Sequence, residues 1–399
     1  MTRTTLFLHT ERPTRRVLER ERPEGRLILA TDSVEPQDVA FYDEVVALPP
    51  VGDVVGTLAR LRRIPADEIV VQTEHGPLAG SLLAAERGIA APSPQAALLT
   101  TNKWLCREAL AAARVPVPRF ALASNADDVR RFAADRGPVV VKPVASTLGH
   151  LVTKVVSPRD ADAVVARLVG GLPRSPHVLR CREFARLAGL DMDCDPLRQF
   201  LVEEFAGGPP LETDGLVFGR RTDVFGVSEQ VVSAPPWFFI EAYLFPVAHA
   251  GLAEISRAAV AALGLDHAGF SIEFRGGVVI EVNGRLGEDD GFPDLFHAAL
   301  GHWPILKALA RDATPSIPRA GGSALAYVNS YAGGVVRAAP RADGVTIVAV
   351  PGTRLHAPPH PEAAPHLAYA LASDPRGARA AWETARAAVA GLRFEIEPA

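Results

Sequence analysis

The stretch GFSIEFRGGVVIEVNGRLGEDDGF, residues 269–292, places two glutamates within short apolar runs. Glu273 and Glu281 each alternate with apolar neighbours, in IEF and IEV, and this alternation predicts two strands whose glutamates point away from the apolar face. The short RGG turn between the strands predicts a hairpin, so the two carboxylates can face one point. Asn283 and Arg285 follow Glu281 at intervals of two residues and therefore share its face.

These four side chains suit the binding of a metal ion and a phosphate group. Hard cations such as Mg²⁺ prefer oxygen ligands and often keep phosphate oxygens in the rest of their shell. A guanidinium can form two parallel hydrogen bonds with a phosphate or a carboxylate. The alternative is an ordinary surface hairpin with solvated glutamates, which is common in antiparallel sheets. The hairpin alone leaves both interpretations open.

Composition narrows the class of protein. The chain has 399 residues, of which 48% are hydrophobic and 22% charged, as in soluble globular proteins. Its net charge of -4, without a block of basic residues, argues against nucleic acid as a partner. The N-terminus lacks the apolar run of a signal peptide and no apolar window could span a membrane, so we expect a cytoplasmic protein. Cys106, Cys181 and Cys194 lack metal-type spacing and predict free thiols.

The first 115 residues predict a parallel α/β unit. Short apolar runs alternate with stretches of helical periodicity, which is typical of strands and helices around a parallel sheet. The predicted strands are 5–9, 26–30, 43–48 and 67–73, and the predicted helices are 51–64 and 76–88. A further helix is predicted over 94–115, with Thr100 or Thr101 as its cap, and the prolines of VPVP (115–118) end it.

Beyond residue 118 the chain first mixes helices with strands and then becomes rich in strands. Short, turn-like connections predict antiparallel pairing of the strands around the glutamate hairpin. The predicted helices are 124–137, 157–168, 293–313 and 376–392. The predicted strands include 138–144, 151–156, 200–205, 213–220, 222–230, 269–276 and 277–284.

Four segments of the chain resemble the signature segments of the ATP-grasp superfamily, and they occur in the family's order. EF followed by IEVNGRLG resembles the family's E…EvNpR motif, and FLVEEF (200–205) resembles its interdomain strand. PVVVKPV (138–144) resembles its lysine strand, and TNKWLCREALAAARVPVPRF (101–120) resembles the segment that precedes that strand. The resemblance covers residues 95–310.

The resemblance implies an α/β (α+β) protein with the ATP-grasp fold. Its implied parts are an N-terminal parallel α/β domain (1–115), a lid subdomain (116–205) and a catalytic subdomain with an antiparallel sheet (206–399). A C-terminal β-rich extension would begin near residue 320. The implied cofactors are ATP and one or two Mg²⁺ ions, or Mn²⁺ in their place.

The resemblance also implies roles for particular side chains, although the loop ASTLGH (145–150) has only Gly149 where the family's loop is usually rich in glycine. Lysines suit the phosphates of ATP because lysine carries a compact positive charge. The nucleotide-binding residues are predicted to be Lys103, Lys142, Ser146, Thr147, Gly149, His150, Glu203, Glu204, Phe205 and Asp214. Among them, the loop residues 146–150 would contact the phosphates, Glu203 would accept from the adenine amino group, and the backbone of Glu204 and Phe205 would pair with the adenine edge. The predicted metal ligands are Glu273, Glu281 and Asn283. The predicted catalytic residues are Arg285 and Lys142.

This sequence departs from the family's pattern at several places. Pro210 stands where the family commonly has an acidic residue that holds the ribose, so Glu212 or Asp214 is expected to take that role. Gly284 replaces the proline of EvNpR. Ser271 replaces a histidine that is frequent in members that join amino acids, and this leaves the identity of the substrates open.

The reaction implied by the resemblance is an ATP-dependent ligation. ATP would convert a carboxylate into an acyl phosphate, and an amine would displace the phosphate. The expected partners are small-molecule carboxylate and amine substrates, as in amino-acid ligation for specialised-metabolite biosynthesis, together with a second copy in a homodimer. The alternatives are a carboxylating enzyme of the purine-pathway or biotin-carboxylase type, and a nucleotide-binding module without catalysis.

Two further segments bear on the choice of substrate. The acids Glu288, Asp289 and Asp290 either bind the amine of a substrate or stabilise the start of a helix through its dipole. The aromatic stretch SAPPWFFIEAYLFP (233–246) either lines a substrate pocket or packs in the core.

Overall fold

The N-terminal region of the computed structural model is a parallel sheet with helices on both sides. The structure describes residues 3–9, 12–50, 52–71, 73, 76–134, 137–147, 149–234, 239–357 and 366–398. The first elements are β1 (Thr4–Leu8), α1 (Arg12–Arg20), β2 (Arg26–Thr31), α2 (Pro36–Phe41), β3 (Glu44–Ala47), α3 (Val54–Leu61), β4 (Glu68–Val71) and α4 (Gly76–Arg87). The strand order is β3-β2-β1-β4 and every pairing is parallel, so the predicted parallel α/β unit is confirmed.

The prediction of a single helix over 94–115 is wrong, because this segment forms two helices. They are α5 (Pro94–Thr101) and α6 (Lys103–Ala112). Asn102 lies between them with an extended backbone, and its side-chain oxygen accepts hydrogen bonds from the first amides of α6. Asn102, rather than Thr100 or Thr101, is therefore the cap. The break makes Lys103 the first residue of a new helix.

The middle region is a four-stranded antiparallel sheet with order β5-β8-β6-β7. Its elements are β5 (Phe120–Ala123), α7 (Ala126–Ala133), β6 (Val139–Pro143), β7 (Thr153–Val155), α8 (Ala161–Gly171), α9 (Pro176–Ala188) and β8 (Phe200–Glu204). The sequence-based prediction lacks α9. Its ends nevertheless carry ordinary signals, since Ser175 caps its first turn and Gly189 ends it in the left-handed conformation.

The rest of the chain is built around an eight-stranded sheet with order β13-β12-β9-β10-β11-β14-β18-β16. Its elements, together with a small sheet of order β17-β15-β19, are β9 (Pro210–Phe218), β10 (Arg221–Val232), β11 (Ile240–Phe245), α10 (Leu252–Ala262), β12 (Ala268–Arg275), β13 (Val278–Asn283), α11 (Phe292–Leu300), α12 (Pro304–Leu309), β14 (Gly322–Asn329), β15 (Gly334–Ala338), β16 (Val345–Ile347), β17 (Arg354–Leu355), β18 (His366–Asp374), α13 (Ala378–Val389) and β19 (Glu395–Glu397). The predicted antiparallel hairpin of Glu273 and Glu281 is confirmed as β12 and β13.

One face of this sheet packs against α6 and α10. Phe270, Ile272 and Phe274 of β12 and Val282 of β13 are at most 2% exposed in that core. Because side chains alternate across a strand, the glutamates between these residues point to the opposite face. The apolar core therefore orients the polar face of the hairpin.

Two smaller predictions also have outcomes. The helix predicted over 293–313 is two helices, α11 and α12, because Gly301 adopts the left-handed conformation between them. All three cysteines are free thiols. Across the described ranges, we find no helix with the length and apolar character required to cross a lipid bilayer.

Candidate active site

Two rows of polar side chains cross three neighbouring strands of the eight-stranded sheet. Directly opposed positions on β9, β12 and β13 form each row, and the rows are two residues apart along each strand. The first row is Glu212, Glu273 and Glu281, and the second is Asp214, Ser271 and Asn283. Since residues two apart on a strand share a face, all six side chains lie on one side of the sheet. The structure thus brings together the three predicted metal ligands.

Lys103 contacts this polar face from the start of α6. Its ammonium forms an ion pair with the carboxylate of Glu281, and the lysine is only 8% exposed. Asn102 holds the first turn of α6 and so sets the direction of the lysine. A predicted nucleotide-binding lysine and a predicted metal ligand therefore contact each other directly.

Glu273 has an electrostatic environment that favours a cation. Burial, followed by the negative charges of Glu281 and Glu212, raises the pKa of Glu273 to about 8. A divalent cation between the opposed carboxylates would offset this repulsion, and the amide of Asn283 adds a neutral oxygen. The donor set therefore fits Mg²⁺ or Mn²⁺.

An ion at this place would need ligands from outside the chain. In the part of the chain that the structure describes, no three His, Cys, Asp or Glu side chains converge closely enough to hold a metal by themselves. Two carboxylates and an amide leave up to about half of an octahedral shell open, and Mg²⁺ commonly fills the remainder with phosphate oxygens and water. The arrangement suits a metal that arrives with a nucleotide.

Glu203, Lys142 and Arg107 form a buried charged group beside the hairpin. The Lys142 ammonium is 2.5 Å from one carboxylate oxygen of Glu203, and the Arg107 Nε is 2.5 Å from the other. Burial opposes the ionisation of Glu203, but the charges of Lys142 and Arg107 outweigh it and lower the pKa of this carboxyl. Both oxygens of Glu203 have cationic partners, whereas the sequence predicts that Glu203 accepts from the adenine amino group. Arg107 is absent from the sequence-based prediction.

Lys142 lies in a strongly cationic environment. It is 5% exposed, and burial, together with the charges of Arg107 and Lys103, lowers the pKa of its ammonium against the opposing effect of Glu203. An anion such as a phosphate would offset this excess of positive charge. The chain has only four lysines among 42 basic residues, and two of them lie here. The use of lysine at positions 103 and 142, in a chain that otherwise prefers arginine, indicates that a compact ammonium group is needed there.

The predicted adenine-binding residues Glu204 and Phe205 follow Glu203 directly at the end of β8. The amide of Glu204 donates to the carbonyl of Arg119 at 2.9 Å, and the amide of Phe205 donates to the carbonyl of Pro138 at 3.1 Å. An adenine edge would therefore have to meet groups other than these two amides. The Phe205 ring is 40% exposed, and Lys154 lies 3.5 Å from its centre. This ring offers an apolar surface beside a positive charge.

The predicted phosphate-binding loop follows β6. Ser146 is buried, and the hydroxyl of Thr147 is 3.2 Å from Nε2 of His177 on α9. The carbonyl of Thr147 accepts a hydrogen bond from the amide of His150, and Gly149 has a positive φ of 68° within this turn. Leu148 lies outside the described residues. Contacts with α9, which the sequence-based prediction lacks, thus support the loop.

His177 gives this loop a testable pH dependence. Burial, followed by the charges of Arg180, His150 and Lys103, lowers the pKa of His177 to about 4. As the pH falls through 6.5, the unfolded chain protonates this imidazole while the folded chain keeps it neutral, so the free energy of unfolding falls until about pH 4. We expect His177 to account for up to about 3 kcal/mol of this loss. Urea unfolding of His177→Asn at pH 7 and pH 4.5 should show a correspondingly smaller loss.

The control for this measurement is His249→Asn, because His249 is exposed. This variant should lose as much stability as the unaltered protein between the two pH values. An equal loss in His177→Asn would contradict a buried neutral imidazole at this position.

Asp214 lies under the loop that follows β13. It is 1% exposed, and one carboxylate oxygen accepts from the amide of Gly287 at 2.8 Å. A Cβ atom at Gly287 would lie 2.4 Å from the ring of Phe292, so only glycine permits this close approach. Burial raises the pKa of Asp214 to about 8. Asp214 lies on the same face of the sheet as Glu273. Its role towards the ribose stays a prediction.

The loop between β13 and α11 carries the remaining predicted residues. A guanidinium nitrogen of Arg285 donates to the carbonyl of Leu286 at 2.8 Å. Of the three consecutive acids, Glu288 contacts Thr14 of α1, Asp289 accepts from the hydroxyl of Tyr243 at 2.6 Å, and Asp290 is 3.4 Å from Arg12. These acids join the loop to α1 and to the sheet, and α11 begins after them at Phe292.

The aromatic stretch 233–246 has only partly determined surroundings. Trp237 and Phe238 lie outside the described residues. Tyr243 is 3% exposed, packs against Phe292 and directs its hydroxyl to Asp289. Phe239 stacks on Tyr331. Tyr243 therefore packs in the core and also hydrogen-bonds one of the three consecutive acids, Asp289.

Solved structures with the same overall architecture are ATP-grasp enzymes. The L-amino acid ligase from Bacillus licheniformis matches with a TM-score of 0.75 at 16% identity, over 99% of each chain. The biotin carboxylase domain of the 2-oxoglutarate carboxylase from Hydrogenobacter thermophilus, solved with MgADP, ADP and bicarbonate, matches with a TM-score of 0.71 at 15% identity, over 99% of this chain and 91% of that one. This protein therefore has the ATP-grasp fold, as its four sequence segments predict.

Sequence relatives match shorter parts of the chain. The uncharacterized protein y4rH of Sinorhizobium fredii is 30% identical over 213 residues, which is 51% of this chain and 39% of that protein. The N5-carboxyaminoimidazole ribonucleotide synthase of Mycobacterium tuberculosis is 41% identical over 91 residues, 22% of this chain and 21% of the synthase. The L-arginine-specific L-amino acid ligase of Bacillus subtilis is 33% identical over 109 residues, 27% of this chain and 26% of the ligase. No protein-family model matches the chain.

Proposed function

We propose that this protein is an ATP-dependent carboxylate–amine ligase that forms ADP and phosphate. The observation that carries the proposal is the opposed pair Glu273 and Glu281, which lies against Lys103 and is connected to the Lys142–Glu203 pair by Arg107. Carboxylates for a divalent cation and lysines for phosphates are the groups that a phosphoryl transfer requires. The fold is similar to that of one L-amino acid ligase, and 109 residues of the sequence are similar to a second L-amino acid ligase. Both similarities support the same class of enzyme.

The proposed reaction has two steps. An oxygen of the substrate carboxylate attacks the γ-phosphorus of ATP, the bond to the β-phosphate oxygen breaks, and an acyl phosphate and ADP form. The nitrogen of an amine then attacks the acyl carbon, phosphate leaves, and the amine gives up a proton. The protein contributes mainly by positioning the reactants and neutralising charge.

The chain's own residues divide this work between them. Lys142 and Lys103 hold the phosphates, and Arg285 steadies the transferred group. Glu273, Glu281 and Asn283 would hold one or two Mg²⁺ or Mn²⁺ ions, which would supply charge neutralisation at the phosphates. Ser146, Thr147, Gly149 and His150 cover the phosphates and exclude water, which would otherwise hydrolyse the acyl phosphate.

Binding of the metal nucleotide requires a change of partner for Lys103. Its ammonium pairs with Glu281, so a cation at Glu281 and this ion pair compete for one carboxylate. A cation on Glu281 would weaken this ion pair, and the Lys103 ammonium would then be available to the phosphates of a bound nucleotide. The exchange keeps both the lysine and the glutamate neutralised in each state.

A carboxylating reaction is the second candidate, because the 41% identity over 91 residues is to an N5-carboxyaminoimidazole ribonucleotide synthase, and a carboxyamino group is a carboxylated amine. The two candidates differ in the nucleophile and in the need for bicarbonate. Phosphate release should therefore be measured with ATP, Mg²⁺ and pairs of amino acids, and separately with bicarbonate and an amine acceptor.

The proposed ligase predicts phosphate release that depends on both an amino acid and an amine, with a dipeptide or amide as product. Release that depends on bicarbonate favours the carboxylating enzyme. Nucleotide binding without phosphate release under either condition favours a nucleotide-binding module without catalysis. A panel that includes arginine tests the likeness to the arginine-specific ligase directly.

A further inference from the structure

Arg107 is the largest fully buried side chain of the described residues, at 1% exposure. It lies on α6, one turn after Lys103. Its Nε donates to a carboxylate oxygen of Glu203 at 2.5 Å, and a terminal nitrogen donates to the carbonyl oxygen of Ile280. Glu203 is on β8 and Ile280 is on β13, and these strands belong to different sheets. One guanidinium therefore bridges two sheets.

Each bond of this bridge ends next to a residue of the candidate site. The second oxygen of Glu203 pairs with Lys142, so Arg107 and Lys142 hold one carboxylate from two sides. Ile280 immediately precedes Glu281, so the bond to its carbonyl holds the strand at the predicted metal ligand. The bridge thus connects the nucleotide-binding half of the cleft with the metal-binding half.

The chemistry of this bridge goes beyond ordinary core packing. A buried charge is costly, and an apolar side chain of similar volume would stabilise a core at least as well. A guanidinium is rigid and planar, and its nitrogens donate in different directions at fixed angles. A lysine has one nitrogen and cannot reproduce this spacing. The rigid guanidinium of Arg107 therefore sets the distance between the Glu203 carboxylate and the Ile280 carbonyl.

We propose that Arg107 is a positioning residue that sets the separation between the Lys142–Glu203 pair and Glu281, and thereby couples nucleotide binding to metal binding. The inference rests on the proposed function, because it assigns the two halves of the cleft to nucleotide and metal. Arg107 touches neither in this scheme and acts through its two partners.

The test measures the coupling directly, without knowledge of the substrates. The dissociation constant of ADP is determined by calorimetry with and without saturating Mg²⁺ for the unaltered protein, Arg107→Lys and Arg107→Gln. The ratio of the two constants is the coupling factor. We expect the unaltered protein to bind ADP more tightly with Mg²⁺. The coupling factor of both variants should be about tenfold smaller than that of the unaltered protein, a change within the usual range of coupling between sites.

The matched control is Arg62→Lys. Arg62 also forks onto a carboxylate, with its nitrogens 2.9 and 2.6 Å from Glu86, but this pair is exposed and lies in the N-terminal region. Its coupling factor should equal that of the unaltered protein. Thermal unfolding of each variant gives the stability, and the lysine variant keeps the charge if the glutamine variant fails to fold.

The outcomes separate this inference from the proposed function. A folded Arg107→Lys that binds ADP more weakly but keeps the coupling factor would show a purely structural role and overturn the inference, while the proposed ligase would stand. If the unaltered protein binds no ADP in either condition, the proposed function fails and the inference falls with it. A lost coupling factor in both variants, with Arg62→Lys unchanged, supports the inference.

Discussion

Replacing Glu281 with glutamine is expected to abolish turnover while the protein stays folded. The amide has the shape of the carboxylate but lacks its charge, so both the metal and the alternative partner Lys103 lose their anion. We expect phosphate release at saturating ATP and Mg²⁺ to fall at least about a thousandfold, as for the loss of a central electrostatic group. Phosphate release is the measurement, and circular dichroism checks the fold.

A suitable control for Glu281→Gln is Glu254→Gln. Glu254 lies on α10 with its side chain 74% exposed, so its charge should have no effect on turnover. Normal turnover by a folded Glu281→Gln protein would remove the metal assignment. A metal would then have to bind elsewhere, because Glu281→Gln leaves Glu273 as the only charged ligand among the three predicted ones.

Replacing Lys142 with alanine is expected to weaken ATP binding strongly. The change removes a buried ammonium that is proposed to hold the phosphates, and it leaves Glu203 with Arg107 as its remaining cationic partner. A hydrogen bond to a charged group contributes about 1.5–3 kcal/mol, so we expect the dissociation constant of ATP to rise about ten- to a hundredfold. Calorimetry with a non-hydrolysable ATP analogue gives this constant.

Lys307→Ala provides the matched control for Lys142→Ala. Lys307 is also a buried lysine, 2.5 Å from a carboxylate oxygen of Asp223, but its partners lie on β10 and in the segment after α12. Its loss should lower the melting temperature and leave the dissociation constant of ATP unchanged. If Lys142→Ala shows the same pattern, the lysine is a structural ion pair and its proposed contact with phosphate is refuted.

Local patterns predicted a large part of this fold. Alternating apolar and polar residues predicted the β12–β13 hairpin, because a strand that packs on a core on one side has a period of two. The parallel N-terminal unit followed from buried strands alternating with helices. Besides the missing helix α9, two errors lie where one residue interrupts a continuous helical pattern. Asn102 and Gly301 both do so, through a cap and a left-handed turn that apolar periodicity does not register.

The candidate site was predicted less completely than the fold. Spacing along one hairpin led to Glu273, Glu281 and Asn283, and the resemblance to the ATP-grasp superfamily led to the two lysines. Arg107 and His177 were missed, since each is an ordinary residue of a helix until distant elements pack against it.

The sequence by itself determined which residues face the core and which carry charge into the cleft, because alternation along a strand is a local property of the chain. Only the tertiary structure decided the partners of these charges. Lys103 lies 178 residues from Glu281, and Arg107 lies 96 residues from Glu203. Contacts over such separations depend on how helix α6 packs between two sheets, and packing of distant elements leaves no periodic signal in the sequence.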